Sequence, residues 1–187
     1  TTTHVSAAAG LVVWALIETI KDGKATAVGM ATGAVAGLVG ITPAAGFVSP
    51  ASGMLIGALT SGFCYLSVQL KIKLSFDDSL DTFAVHGVGG TVGALLTGVF
   101  ANAELIASHP ASLVLEEQGR SGLILGQFQA VLIAYGIAAI GTLVIALVLK
   151  TLGCDFRVNA NEERSGLDIS QHGEEAYGEE TGSPSAI

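Results

Sequence analysis

The chain has 187 residues, of which 50% are hydrophobic and only 13% are charged, and its formal net charge is −8. Its mean hydropathy of +0.63 is higher than that of water-soluble domains of this size. The composition therefore excludes an ordinary soluble globule and indicates a membrane protein. Because the chain runs from Thr1 directly into apolar sequence, we expect it to be part of a longer protein.

Five apolar segments follow one another along the chain, each close to the roughly 20 residues of a membrane helix. The predicted spans cover residues 5–20, 25–41, 52–70, 81–100 and 123–149. Polar stretches end the spans: KDGK after the first, TPAAG after the second and KIKLSFDDS after the third. The predicted fold is an all-α polytopic membrane protein, with a transmembrane domain at residues 1–151 and an acidic tail at 152–187.

The basic residues predict the orientation of these spans. If the spans alternate in direction, one basic residue, Arg120, falls on one side of the membrane and seven fall on the other: Lys21, Lys24, Lys71, Lys73, Lys150, Arg157 and Arg164. Lys and Arg concentrate in cytoplasmic loops. We therefore expect the C-terminal tail to be cytoplasmic. From Asp155 onward it contains eight carboxylates against two arginines, so most of the net negative charge of the chain lies there.

Small residues recur every fourth position in four of the spans, a spacing that lets membrane helices approach closely. The series are Gly29, Gly33 and Gly37; Gly53, Gly57 and Ser61; Gly90, Ala94 and Gly98; and Gly122, Gly126, Ala130 and Ala134. Ordinary helix packing explains any one of these glycines. Together the series predict a tight bundle around a narrow path.

His86 is the main candidate for a functional side chain. It lies inside the fourth span, where an ionisable group is costly unless it faces a partner or a cavity. The alternative is a buried histidine that bonds a neighbouring carbonyl. Gly87, Gly89 and Gly90 remove bulk beside it, so that a helix or a small solute can approach the ring.

Asp81 lies five residues before His86, at the predicted cytoplasmic end of the span. Two roles are open for its carboxylate, a helix N-cap or a residue lining a pore exit. Asp77 and Asp78 are interpreted as solvated loop residues.

Catalytic chemistry finds no support in the sequence. Cys64 and Cys154 have neither disulfide nor metal-ligand spacing, and the glycines near His86 lack the alternating strands and helices of a dinucleotide site. We expect no enzyme activity, no metal, no cofactor and no nucleic-acid partner.

Three segments resemble the ammonium transporter family, the Amt/Mep/Rh group, in the family's order. DTFAVHGVGGTVGALLTGVF at 81–100 resembles its signature, and ATGAVAGLVGITPAAGFVSP at 31–50 resembles its second hallmark. GLDISQHGEEAY at 166–177 is similar to the cytoplasmic tail motif of bacterial members. The tail residues that carry this likeness are Gly166, Leu167, Asp168, His172, Gly173 and Glu174.

The resemblance implies a fold of eleven spans built as an inverted repeat, of which this chain forms the last five. It implies a homotrimer in the cell membrane, ammonium or ammonia as the transported species, and a P-II-type signal protein at the cytoplasmic face. His86 matches one of two pore histidines in the family. The other histidine and the aromatic residues of the outer entrance are expected to precede Thr1.

Two alternatives to a transporter remain open. One is an ammonium sensor that keeps the fold and signals through its tail. The other is a non-conducting membrane scaffold, which has no evident need for an ionisable side chain at His86.

Overall fold

The computed structural model describes residues 1–174, and all regular structure within them is helical. The helices are α1 (Thr2–Asp22), α2 (Ala27–Ile41), α3 (Pro50–Lys73), a π-helical turn π1 (Phe83–Val88), α4 (Gly89–Phe100), α5 (Ala111–Thr151), α6 (Ala160–Ser165) and a second π-helical turn π2 (Asp168–His172). Residues 1–136 form one compact unit, and a second unit begins at Ile137. The predicted all-α membrane fold is confirmed.

Four helical stretches are long and apolar enough to cross a bilayer: Thr2–Asp22, Pro50–Lys73, Phe83–Phe100 and Ala111–Thr151. The third of these stretches consists of π1 and α4, while α2 is apolar but has only 15 residues. At 1.5 Å per residue α2 is roughly 22 Å long, which is less than the hydrocarbon thickness of about 30 Å. The segment predicted as the second span is therefore a short apolar helix.

The last long helix begins earlier than the predicted residue 123. Its first part, from Ala111, is separated from the rest by Gly119, which has a non-helical backbone with φ 68° and ψ −167°. The preceding residues ASLVLEEQ are mostly good helix formers, and His109 Nδ1 accepts a hydrogen bond from the Ala111 N–H at 3.1 Å. Residues 111–118 lie outside the predicted spans because they are polar. Their helix propensity and the His109 side-chain cap make them helical.

Polar residues define the ends of α1, α2 and α3. Gly23 ends α1 in the left-handed region with φ 80°. Thr26 caps α2, and its own N–H donates to Glu18 Oε2 at 2.8 Å, while the Trp14 indole donates to Glu18 Oε1 at 3.2 Å. Ser49 caps α3. Glu18 thus bonds both Trp14 within α1 and Thr26 at the start of α2.

Two hydroxyl groups join the helices in the membrane region. The Ser6 hydroxyl of α1 donates to the Gly37 carbonyl of α2 at 2.8 Å, and the Ser61 hydroxyl of α3 donates to the Gly10 carbonyl of α1 at 2.8 Å. Both serines are fully buried. Bonds of this length require close backbones, which the glycine series on α2 and α3 allow.

The predicted small face of α4 is used for packing only in part: Gly98 is buried, and a Cβ there would lie 3.0 Å from the Ile124 Cα of α5. Gly89, Gly93 and Thr97 are buried, whereas a side chain added to Gly90 would meet open space. Gly93 packs against the backbone of Gly40 on α2. Two small faces, each with a four-residue spacing, exist on this helix: Gly93 of one packs on α2, and Gly98 of the other packs on α5.

The contact between Gly93 and Gly40 predicts that one added methyl group at Gly93 lowers the stability of the protein. Gly93→Ala places a Cβ against the Gly40 carbonyl, which is backbone and cannot rotate away, so we expect a loss of about 1–3 kcal/mol in unfolding free energy. Gly62→Ala on α3 is the matched control, because no atom lies within 4 Å of its added Cβ. Denaturant unfolding in detergent measures both. Equal stability of the two variants would contradict the close α2–α4 approach.

Candidate functional site around His86

The backbone around His86 forms a π-helical turn between a loop and α4. This turn, Phe83–Val88, continues without a break into α4. Three of the four residues Gly87–Gly90 are glycines, which are weak helix formers, so a departure from regular α geometry costs little here. π-Helical turns inside helices are frequent at functional sites. The sequence prediction of a plain helix missed this turn, although the density of glycines was a signal for it.

The His86 side chain is exposed in this unit, and its imidazole has no hydrogen bond to any of the residues 1–174. Ala84 and Val85, directly before it, are buried in the cluster that contains Trp14 and Tyr65. The turn therefore packs on the bundle through one face and presents His86 on another. For the alternative left open by the sequence, a buried histidine that bonds a carbonyl, no such bond exists within residues 1–174.

The three glycines beside His86 have different surroundings. Gly89 is buried, and a Cβ there would lie 3.0 Å from the Cys64 sulfur. At Gly87 an added Cβ would lie 2.9 Å from the Phe83 ring, so this glycine makes room for that ring. Gly90 has no atom within 4 Å of its Cβ position. Open space on the Gly90 side agrees with access to the imidazole.

The cap at the start of this segment belongs to Asp78, which corrects two sequence interpretations. The two Asp78 carboxylate oxygens accept hydrogen bonds from the N–H groups of Thr82 and Phe83, each at 2.9 Å. Asp78 is therefore no solvated loop residue, and Asp81 is not the side-chain cap. Asp81 does not cap the segment because its own backbone lies in the left-handed region, with φ 54°.

Asp81 forms an ion pair with Lys71 at the end of α3. The same ammonium group donates to the Asp78 carbonyl. Both side chains are partly buried, with 15% exposure for Lys71 and 31% for Asp81. Lys71 thus attaches the loop before π1 to α3, a link across ten residues that no short motif reveals.

The tail residues selected by the sequence form a compact turn in the second unit. Asp168 and His172 are the first and last residues of π2, and Gly173 ends it in the left-handed region with φ 72°. The Glu174 N–H donates to the Asp168 carbonyl at 3.1 Å. Gly166 and Leu167 connect α6 to this turn. Residues 175–177 of the predicted motif lie outside the described residues.

The helices and the exposed intramembrane histidine define a polytopic α-helical membrane protein. The chain belongs to the ammonium transporter family, whose model matches residues 1–177. Members of this family are transporters and not enzymes.

Relatives with known names agree with this assignment. An ammonium transporter of Bacillus subtilis is 41% identical over 176 residues, which are 94% of this chain and 43% of that protein. The ammonium transporter MEP2 of Saccharomyces cerevisiae is 39% identical over 190 residues, covering 96% of this chain and 37% of that protein. The chain thus spans about two fifths of the length of such relatives.

Solved structures show the same fold. The crystal structure of Saccharomyces cerevisiae Mep2 matches with a TM-score of 0.63 and 36% identity, over 78% of this chain and 36% of that one. A structure described as a sensor Amt protein matches with a TM-score of 0.76 and 28% identity, over 91% of this chain and 40% of that one.

The cap at Asp78 can be tested against its neighbour. Asp78→Ala removes the acceptor for two N–H groups, so we expect a loss of about 0.5–2 kcal/mol and faster amide exchange at Thr82 and Phe83. Asp77→Ala is the control, since its exposed carboxylate makes no hydrogen bond within the described part of the chain. Exchange measured by mass spectrometry that rises equally in both variants would contradict the assignment.

Proposed function

We propose that this chain forms part of a transmembrane path for ammonium or ammonia, and that His86 faces this path. The observation that carries the proposal is the exposure of His86 on an apolar, membrane-length helical segment. An ionisable side chain that faced lipid would be costly, so it is expected to face a polar cavity or another part of the protein. The family membership and the names of the relatives support ammonium as the transported species.

The proposed mechanism follows from the cost of placing a charge in an apolar medium. An ammonium ion that enters a narrow apolar path loses its hydration, and the penalty for an isolated charge there is large. Release of a proton lets the neutral molecule pass. Histidine can accept and return protons near neutral pH, so His86 is suited to carry that proton or to bond the neutral molecule.

Assembly, orientation and regulation are further parts of the proposal. The family resemblance supports a homotrimer in the cell membrane and a P-II-type signal protein that binds at the cytoplasmic face. With α2 counted as a span in spite of its length, the asymmetry of basic residues supports a cytoplasmic tail. In the tail, the residues from Gly166 to Glu174 form the turn that is proposed to take part in regulation.

Ammonium sensing is the second candidate function. The sensor Amt structure favours it, because it matches a larger share of this chain than the Mep2 structure does. A sensor can keep His86 for binding and show no substantial flux. Uptake by the expressed protein separates the two functions.

Two substitutions test the role of His86 in the expressed protein that carries this chain. We expect His86→Ala to lower ammonium uptake by about 100-fold or more, or to change its selectivity, because the proton-exchanging group is lost. His86→Glu keeps a group that can exchange protons, so some flux with a different pH dependence is expected. Uptake of ammonium and of labelled methylammonium by cells without their own transporters measures both.

The control is His4→Ala, which removes an exposed imidazole near the start of α1. It should leave uptake unchanged. Wild-type uptake by both His86 variants, with intact assembly on a native gel, would show that His86 does not face the path. Absence of uptake in the wild type, together with ammonium binding, would favour the sensor.

A native cysteine makes the orientation testable. Cys154 is exposed and Cys64 is buried, so a membrane-impermeant maleimide should report on Cys154 alone. We expect Cys154 to react only after the membrane is opened. Ser108→Cys in a Cys154→Ser background should react in intact cells. Labelling of Cys154 from outside would reverse the proposed topology.

A further inference from the structure

Three oxygen atoms form a hydrogen-bonded triangle directly beside His86. The Thr91 hydroxyl lies 2.8 Å from the Gly87 carbonyl oxygen and 2.6 Å from the Tyr135 hydroxyl, and the Tyr135 hydroxyl lies 3.2 Å from the same carbonyl. Gly87 belongs to π1 and Thr91 to α4, whereas Tyr135 belongs to α5. The triangle therefore ties α5 to the turn that carries His86.

The number of hydroxyl protons limits which of the three oxygen pairs can be hydrogen-bonded at one time. Three oxygen pairs share two hydroxyl protons, and the two hydroxyl groups cannot both donate to each other. At least one proton therefore points at the Gly87 carbonyl. Loss of either hydroxyl leaves one donor for that carbonyl. Loss of the Thr91 hydroxyl breaks the bond between α4 and α5, and loss of the Tyr135 hydroxyl breaks that bond and the one between α5 and π1.

A third side chain, that of Cys64, bonds the turn on the other side of His86. The Cys64 thiol of α3 donates to the Val85 carbonyl at a sulfur–oxygen distance of 3.7 Å. The carbonyl groups directly before and after His86 are thus both bonded by side chains of other residues. Backbone bonding inside π1 alone does not hold the peptide units around this histidine.

The π geometry makes these bonds important for the direction of the imidazole. A π turn contains one residue more than an α turn, and such turns are rare because their hydrogen bonding is less favourable. Each residue of an α-helix turns the chain by roughly 100°, so a return to α geometry would rotate His86 by about that angle relative to α4. A rotation of this size would move the imidazole from its exposed face.

We propose that Thr91 and Tyr135 are positioning residues, whose paired hydroxyl groups hold the π turn at Gly87 and thereby set the direction of His86. This inference rests on the proposed role of His86 in transport. It adds α5 to the elements that control the pore, through one hydroxyl on its side chain.

Removal of either hydroxyl tests the proposal. We expect Thr91→Val and Tyr135→Phe each to lower the uptake rate by about twofold to tenfold, as for loss of one hydrogen bond, and to shift the pH profile of uptake. Thr91→Ser keeps the hydroxyl and should restore the wild-type profile. Thr32→Val and Tyr65→Phe are matched controls, since the Thr32 hydroxyl bonds only the carbonyl four residues earlier and the Tyr65 hydroxyl bonds no other group within residues 1–174.

A double-mutant comparison shows whether the effect passes through His86. In a His86→Glu background the added Tyr135→Phe change should have a smaller effect than in the wild type, because residues that act through one another are not additive. The same effect in both backgrounds would overturn the positioning role. So would pH profiles of Thr91→Val and Tyr135→Phe that match those of the two controls.

Amide exchange of residues 84–91 separates this inference from the proposed function, because it does not depend on transport. Tyr135→Phe should speed exchange in this peptide, and Tyr65→Phe should not. Unchanged exchange in Tyr135→Phe would overturn the positioning role even if His86→Ala abolishes uptake. Faster exchange together with wild-type uptake by His86→Ala would support the bonding and contradict the role of His86.

Discussion

The fold depends on the cost of burying a polar group without a hydrogen-bond partner. A bilayer offers no water to an unpaired carbonyl or hydroxyl group, and each unpaired group costs several kcal/mol. The Ser6 and Ser61 hydroxyls meet this constraint by bonding carbonyls of neighbouring helices. These bonds are possible only where glycine lets two backbones approach. The hydrogen bonds between these helices therefore depend on the small residues that let the helices pack closely.

The same constraint explains the helix ends. Arg120 donates to the Val99 and Ala101 carbonyls at 2.7 and 3.0 Å, which satisfies acceptors at the C-terminal end of α4. At the start of π1 the Asp78 carboxylate serves two N–H groups in the same way. Charged residues at these ends thus have definite bonding partners, while the exposed pair Arg157–Glu163 of the second unit contributes little to stability.

The His86 imidazole differs from these hydrogen-bonded side chains. Its neighbours on both sides have carbonyls bonded by side chains, yet its own imidazole has no partner within residues 1–174. An ionisable side chain exposed on an apolar, membrane-length helical segment is costly unless it faces a polar cavity or another part of the protein. In the proposed function this side chain faces the ammonium path, and in the further proposal the bonds of Thr91 and Tyr135 keep its direction.

The sequence by itself determined the class of protein, the approximate helices and the candidate histidine. Hydropathy and charge act over whole segments, so a single chain is enough to read them, and an ionisable residue within an apolar run is conspicuous. The tertiary structure decided which glycines of α4 are packed: Gly89 and Gly98 are buried, whereas a side chain added to Gly90 would meet open space. It also decided that Asp78 and not Asp81 caps the segment, that Lys71 bonds the loop before π1, and that Tyr135 bonds the turn around His86. Those contacts join residues up to 48 positions apart, and only the packed helices bring such residues together.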